Sequence, residues 1–250
     1  MGAYLTLVRR ELGSYFFSLT AYVVIAAVLL LVGVSFLVVL EAYNGDLVST
    51  PLTELWQSSM FFWLIVLLAS PLITMRLFAL EKFSGTFETL MTVPVSDLQV
   101  VLAKFTGGFL FYLTAWIPLL ACIYVVHQYT DQGTVMDWWP VASTYLGVAL
   151  IGSLYIAMGT FASALTRSQI IAAMVSLAFG VGLFLISFLK FSLGTQTSLA
   201  AKVVSYVGMI EHMEDFASGV VDTRYVTFYL TLTALFLFLT LKVVESRRWK

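Results

Sequence analysis

Charge is what this chain has least of. Only 11% of its 250 residues are Asp, Glu, Lys or Arg, far below the roughly 25% of a soluble domain. Too few polar groups remain to cover a soluble surface. The single cysteine, Cys122, excludes an intrachain disulfide framework. The chain has no Gly-x-x-x-x-Gly-Lys-[Ser/Thr] loop and no His-Glu-x-x-His. It therefore lacks both a phosphate cradle and the usual zinc-hydrolase helix, and any nucleotide-driven work must draw on another chain. The net charge of −1 points to neither an acidic nor a basic partner, and no nucleic-acid partner is expected.

What the chain has instead is long apolar runs. Apolar residues make up 60% of the sequence, and they fall in blocks rather than in soluble-type stripes. Six stretches are free of ionisable Asp, Glu, Lys, Arg and His: 19–40, 56–75, 105–126, 140–165, 168–189 and 225–241. A helix needs about 20 such residues to cross the hydrocarbon layer. Five stretches reach that length, and Tyr225 and Lys242 extend the sixth by anchoring at the interfaces. The expected fold is an all-α membrane protein, a single domain over 1–250 with six transmembrane helices. No cleavable signal is expected, because the uncharged run 12–40 is too long for one. Met1-Gly2-Ala3-Tyr4-Leu5-Thr6 fits a loose myristoylation pattern, which carries little weight in a chain already rich in spans.

Six spans put both termini on one side. One set of alternate segments holds Arg9, Arg10, Arg76, Lys82, Lys104, Arg167, Lys242, Arg247, Arg248 and Lys250; the other holds only Lys190, Lys202 and Arg224. The positive-inside rule therefore places both termini in the cytoplasm. The acids lean outward, with Asp46, Glu54, Asp131, Glu211, Glu214 and Asp222 among them.

Residues 3–17 read as an amphipathic helix, with Leu5, Val8, Leu12, Tyr15 and Phe16 on one face. It is expected to lie in the membrane interface, the alternative being a simple extension of the first span. Segment 76–104 is the longest stretch between spans on the cytoplasmic side. There Ser84 is expected to cap a short helix that stops before Pro94, and Ser96 with Gln99 forms a capping box opening the third span. Small residues repeat every four positions in spans four (Ala149, Ser153, Ala157) and five (Ala172, Ser176, Gly180), which favours close helix packing. The outer region 190–224 is expected to form short helices returning into the outer leaflet. In the tail, Trp249 among basic residues suits a headgroup anchor.

Spans without ionisable groups argue against an ion-coupled transporter. The cluster Glu211-His212-Met213-Glu214-Asp215 has one histidine beside acids and no second histidine, so it reads as a solvated loop rather than a metal site. Segment 76–104 mixes apolar Phe83, Phe87, Leu90 and Met91 with Glu81, Lys82 and Glu88. By residue type it suits two roles equally: docking in a groove of a soluble partner, or dipping its aromatics into the interface.

Three motifs resemble the ABC-2 type permeases, the membrane subunits of one class of ABC transporter. Val8-Arg-Arg-Glu-Leu-x-x-Tyr-Phe-x-Ser18 is similar to that family's elbow helix. Glu81-Lys-x-x-Gly-Thr-x-Glu-x-Leu-x-x-x-Pro94, followed by Lys104, is similar to its signature after span two. Glu211-His-x-x-x-Phe216-x-x-Gly219-Val-Val-Asp222 resembles the gliding-motility-type and copper-pathway-type subgroup.

The resemblance implies a subunit in a prokaryotic inner membrane. It would pair with a second permease and dock on a cytoplasmic ATPase, which would hold the ATP and magnesium. No cofactor and no catalytic residue are expected here. The ATPase-coupling residues implied are Glu81, Gly85, Thr86, Phe87, Glu88, Leu90 and Pro94, and the elbow residues are Arg9, Arg10 and Glu11. Export is the implied function. The alternative is a mechanical or signalling subunit that acts on an extracytoplasmic protein through region 205–224.

Overall fold

The computed structural model describes residues 2–43, 52–87, 95–129, 138–193 and 206–246. Among these residues the elements are all helical: α1 (Gly2–Phe16), α2 (Leu19–Tyr43), α3 (Leu52–Ser58), α4 (Met60–Thr74), α5 (Ala79–Ser84), α6 (Asp97–Tyr129), α7 (Trp138–Leu165), α8 (Gln169–Leu193), α9 (Met209–Ser218) and α10 (Thr223–Ser246). Six stretches are long and apolar enough to span a bilayer: Leu19–Glu41, Met60–Ser84, Asp97–Gln128, Trp138–Leu165, Gln169–Phe188 and Thr223–Ser246.

The boundaries follow local chemistry. α6 opens on the expected capping box, with the Gln99 N–H donating to Ser96 Oγ (3.2 Å) and the Ser96 N–H to Gln99 Oε1 (3.3 Å). The second span differs from its expected start at residue 56, because the chain breaks at Ser59. That residue is extended (φ −67°, ψ 140°), and its hydroxyl accepts the Phe62 N–H. Trp56 therefore belongs to the separate short helix α3, where its indole donates to Ser35 Oγ of α2 at 2.9 Å. Ser84 is also placed differently. It is the last residue of α5 rather than the cap of a following helix, and Gly85 closes α5 at φ 76°. A left-handed closing residue favours glycine, which lacks the clashing Cβ. The expected helix end before Pro94 lies outside the described residues.

α7 is the axle of the bundle. Of its most apolar stretch 83% is buried, against 17% to 61% for the other spans. It packs on α4, α6, α8, α9 and α10. Its glycines are notches for neighbouring side chains. A Cβ on Gly147 would come within 2.9 Å of the Phe216 ring, one on Gly152 within 2.1 Å of the Tyr112 ring, and one on Gly159 within 2.1 Å of Thr74 Oγ1. The expected small-residue contacts are partly redistributed. Ser176 and Gly180 of α8 do meet α7, facing Gly159 and Tyr155, whereas Ser153 faces Thr233 of α10 at 3.2 Å.

The end of the bundle holding α5 and the first turns of α6 is called lower here, and the end holding α9 upper.

Candidate functional site

The lower end is built around the buried ammonium of Lys104. Lys104, in the second turn of α6, is 2% exposed at its side chain. An ammonium so deeply placed is costly unless its donors are met. Its Nζ lies 2.8 Å from Glu81 Oε1 and 3.2 Å from Glu11 Oε1, and 5.3 Å from the Phe78 ring centre. Arg10 closes the group from outside, 2.7 Å from Glu11 and 3.4 Å from Glu81. Three segments far apart in sequence are thus joined: α1 through Glu11, α5 through Glu81 and the third span through Lys104.

The rest of α1 is fitted to α6 with the same closeness. A Cβ on Gly107 would sit 2.8 Å from Glu11 Cβ, so only glycine lets the helices approach here. Tyr15 stacks on Phe111 with ring centres 4.8 Å apart. Its hydroxyl donates to the Ile73 carbonyl at 3.0 Å, just where α4 ends. Burial, with the Glu11 carboxylate beside it, pushes the Tyr15 phenol far above its ordinary range. Tyr4 Oη and Thr106 Oγ1 are 2.8 Å apart. The buried face of α1 is therefore Val8, Glu11 and Tyr15. Leu5 and Phe16 of the expected apolar stripe are exposed, because a partnered carboxylate takes the place an aliphatic residue was expected to fill.

Between these elements lies a cleft of about 240 Å³ lined by Arg10, Glu11, Ser14, Tyr15, Arg76 and Glu81, among others. Arg76 donates to the hydroxyls of Ser18, between α1 and α2, and of Thr20, in the first turn of α2.

α5 is held to α7. The Ser163 hydroxyl accepts the N–H of Phe78 (3.0 Å) and of Ala79 (3.1 Å), capping the start of α5 from a different helix. Lys82 donates to the Ala164 carbonyl, and its ammonium lies 5.3 Å from the Phe87 ring centre. Of the expected coupling residues, Glu81, Gly85, Thr86 and Phe87 are thus gathered at one corner, with Glu11 and Arg10 beside them. Thr86 contributes its hydroxyl, 2.9 Å from Ser84 Oγ. Phe87 is buried while Phe83 is 77% exposed. Arg9 faces outward. Glu88, Leu90, Met91 and Pro94 lie outside the described residues. Sequence reading missed Tyr15, Arg76 and Ser163. The only trace of the first two is their place in or beside the motifs, and Ser163 carries none.

At the upper end, α9 is buried rather than solvated along Met209, His212, Met213, Phe216 and Ala217. His212 stacks on Tyr225 (centres 3.9 Å apart), and its Nδ1 lies 3.1 Å from Tyr229 Oη. The loop reading of this cluster thus gives way to a packed helix. Among the described residues no group of three His, Cys, Asp or Glu is placed to hold a metal ion. Burial lowers the His212 pKa to about 4, against the pull of Glu211, Asp215 and Asp222. An unfolded histidine protonates near 6.5, so unfolding takes up a proton as pH falls from about 6.5 toward 4, and stability drops through that window. Thermal unfolding in detergent at pH 7 and pH 5 should show a clear loss at pH 5. H212Q should flatten that loss, and an unchanged loss in H212Q would assign it to other groups.

Apolar spans packed around a buried central helix, with a charge cluster at one end, define a multi-pass helical membrane protein. Residues 55–245 match the family model described as ABC-2 family transporter protein. The chain belongs to that family, and is a permease subunit of the ABC transporter type. A search among curated proteins finds no match.

Proposed function

We propose that this permease couples a separate ATPase to export across a prokaryotic inner membrane, with both termini and the lower end in the cytoplasm. The observation that carries the reading is the Glu11–Lys104–Glu81 cluster. It ties segment 76–104, where a soluble partner would press, to α1 and to the third span. In this reading α1 is the elbow helix. A second permease would sit alongside, and ATP with magnesium would stay on the partner. Closure of two ATPase subunits would push the 76–104 segments and tilt the two six-span halves. A path between the halves would then change its opening. The motif from Glu211 to Asp222 supports placement in the gliding-motility-type or copper-pathway-type subgroup.

The test is coupling. Gly85 has open space around a would-be Cβ, but its φ of 76° strains any other residue. Gly85→Trp, and Glu88→Lys beside it, are expected to leave the protein inserted while lowering association and stimulated hydrolysis of the copurified ATPase about tenfold or more, equivalent to roughly 1.4 kcal/mol. Full association and activity in both variants would remove the docking role of 76–104.

A second reading, a mechanical or signalling subunit, draws on the anchoring of α9. Thr53 Oγ1 donates to the Ala217 carbonyl at 2.7 Å, and the Met209 N–H to Ser187 Oγ at 2.9 Å. An extracytoplasmic protein pressing on α9 would reach the spans directly. ATPase stimulation by such a protein, with no flux of labelled cargo into vesicles, would favour it.

A further inference from the structure

The two ends of α7 are wired in the same manner. At the lower end Ser163 takes the Phe78 and Ala79 N–H groups, and the Ala164 carbonyl takes the Lys82 ammonium. At the upper end Ser143 Oγ lies 2.5 Å from the Phe216 carbonyl, and Trp139 Nε1 donates to the Gly219 carbonyl at 2.7 Å. The first set holds the opening turn of α5, and the second holds the closing turn of α9. Gly219, which ends α9 at φ 94°, would place a Cβ 3.1 Å from Trp139 Cδ1, so this joint is closely fitted.

The helix is continuous from Ser143 to Ser163, a rise of about 30 Å at 1.5 Å per residue. No proline interrupts it, since Pro140 lies before Ser143. The glycines that soften a free helix are here filled by Phe216, Tyr112 and Thr74. A helix clamped along its length moves as a rigid element, and contiguous packed elements are what carries coupling between distant sites.

We infer that α7 is a transmission rod whose end residues Ser163 and Trp139 are positioning residues: displacement of α5 at the lower face is delivered to α9 at the upper face. The inference deepens the permease reading, because that reading supplies the push on α5. It assigns the upper helix a role as the moving gate element of the permease, and it makes the coupling reciprocal, as linkage requires.

The test needs no ATPase, so it can fail or succeed apart from the docking proposal. The full chain in lipid nanodiscs is followed by amide hydrogen exchange. Ser163→Ala removes the acceptor of two N–H groups, and it is expected to speed exchange in 209–218 by about fivefold or more as well as in 78–84. Trp139→Phe, which loses the Gly219 contact, is expected to do the reverse and speed exchange in 78–84. Thr53→Ala is the control. It loosens α9 through α3, away from the α7 joint, and should speed exchange in 78–84 clearly less than Trp139→Phe does. Ser163→Thr keeps the hydroxyl and should restore wild-type exchange at both ends. Two results overturn the rod: effects of Ser163→Ala and Trp139→Phe confined to the mutated end, or an equal effect of Thr53→Ala at the lower end. The second would mark general loosening rather than transmission through α7.

Discussion

Replacing Lys104 by methionine is expected to destabilise the folded chain by about 2–4 kcal/mol, the range for leaving a buried charge without its partner, trimmed for the partial exposure of Glu81. The Lys104 ammonium is the buried cation of the two shared by Glu11 and Glu81, whose side chains are 8% and 20% exposed. Arg10 remains to both carboxylates, but its side chain is 49% exposed and its contact with Glu81 is the longer one at 3.4 Å. Methionine keeps most of the volume and loses the charge, so packing contributes little to the change. Thermal unfolding in detergent measures the loss. The companion variant Glu11→Met/Lys104→Met should recover at least half of it, because the carboxylate stranded deepest is then gone. Lys242→Met provides the baseline, since Lys242 is 56% exposed in its pair with Glu245. A Lys104→Met loss no larger than that of Lys242→Met would show that the charge cluster contributes nothing to the fold.

The second large effect is expected at Gly152. Even alanine there would set a Cβ 2.1 Å from Cε1 of Tyr112, a ring that is completely buried. Tyr112 cannot swing away, because it packs edge-on against Trp116 at 5.9 Å between centres, and Trp116 in turn meets Trp56 and Phe62. Overpacking of this kind costs about 1–3 kcal/mol, and valine at Gly152 should reach the top of that range. Adding Tyr112→Leu should relieve the clash, so the Gly152→Ala/Tyr112→Leu pair is expected to show a favourable coupling of about 1–2 kcal/mol in a double-mutant cycle. Additive losses would mean that the ring and the glycine do not share the notch.

The spans and the capping box were legible because each is a local pattern. An uncharged run of spanning length needs no partner to be recognised, and Ser96 reaches only to Gln99. The charge cluster was legible only as residue types. Glu81 and Lys104 stand in one motif region, but Glu11 meets Lys104 across 93 residues, and no periodicity records such a meeting. The notches of α7 escaped for another reason. Four-residue spacing of small side chains marks one stripe, and it pointed to Ala149, Ser153 and Ala157. A helix buried on nearly every side has no single stripe, so Gly147, Gly152 and Gly159 each serve a different neighbour. Solvated character was wrongly expected for residues 211–215 because three of the five are acidic. The buried positions there, His212 and Met213, are the ones that decide the packing.

The Glu11–Lys104 contact also sets an order of events during biosynthesis. When α1 leaves the ribosome its carboxylate has only the half-exposed Arg10 beside it, and the ammonium that partners it in the buried state is 93 positions behind. At roughly 5–20 residues per second that gap lasts roughly 5–20 seconds. Through that interval Glu11 must stay in water or in the insertion machinery, so α1 settles only after the third span has arrived. The N-terminal helix is therefore made first and seated late, with Lys104 as the signal that its site is ready.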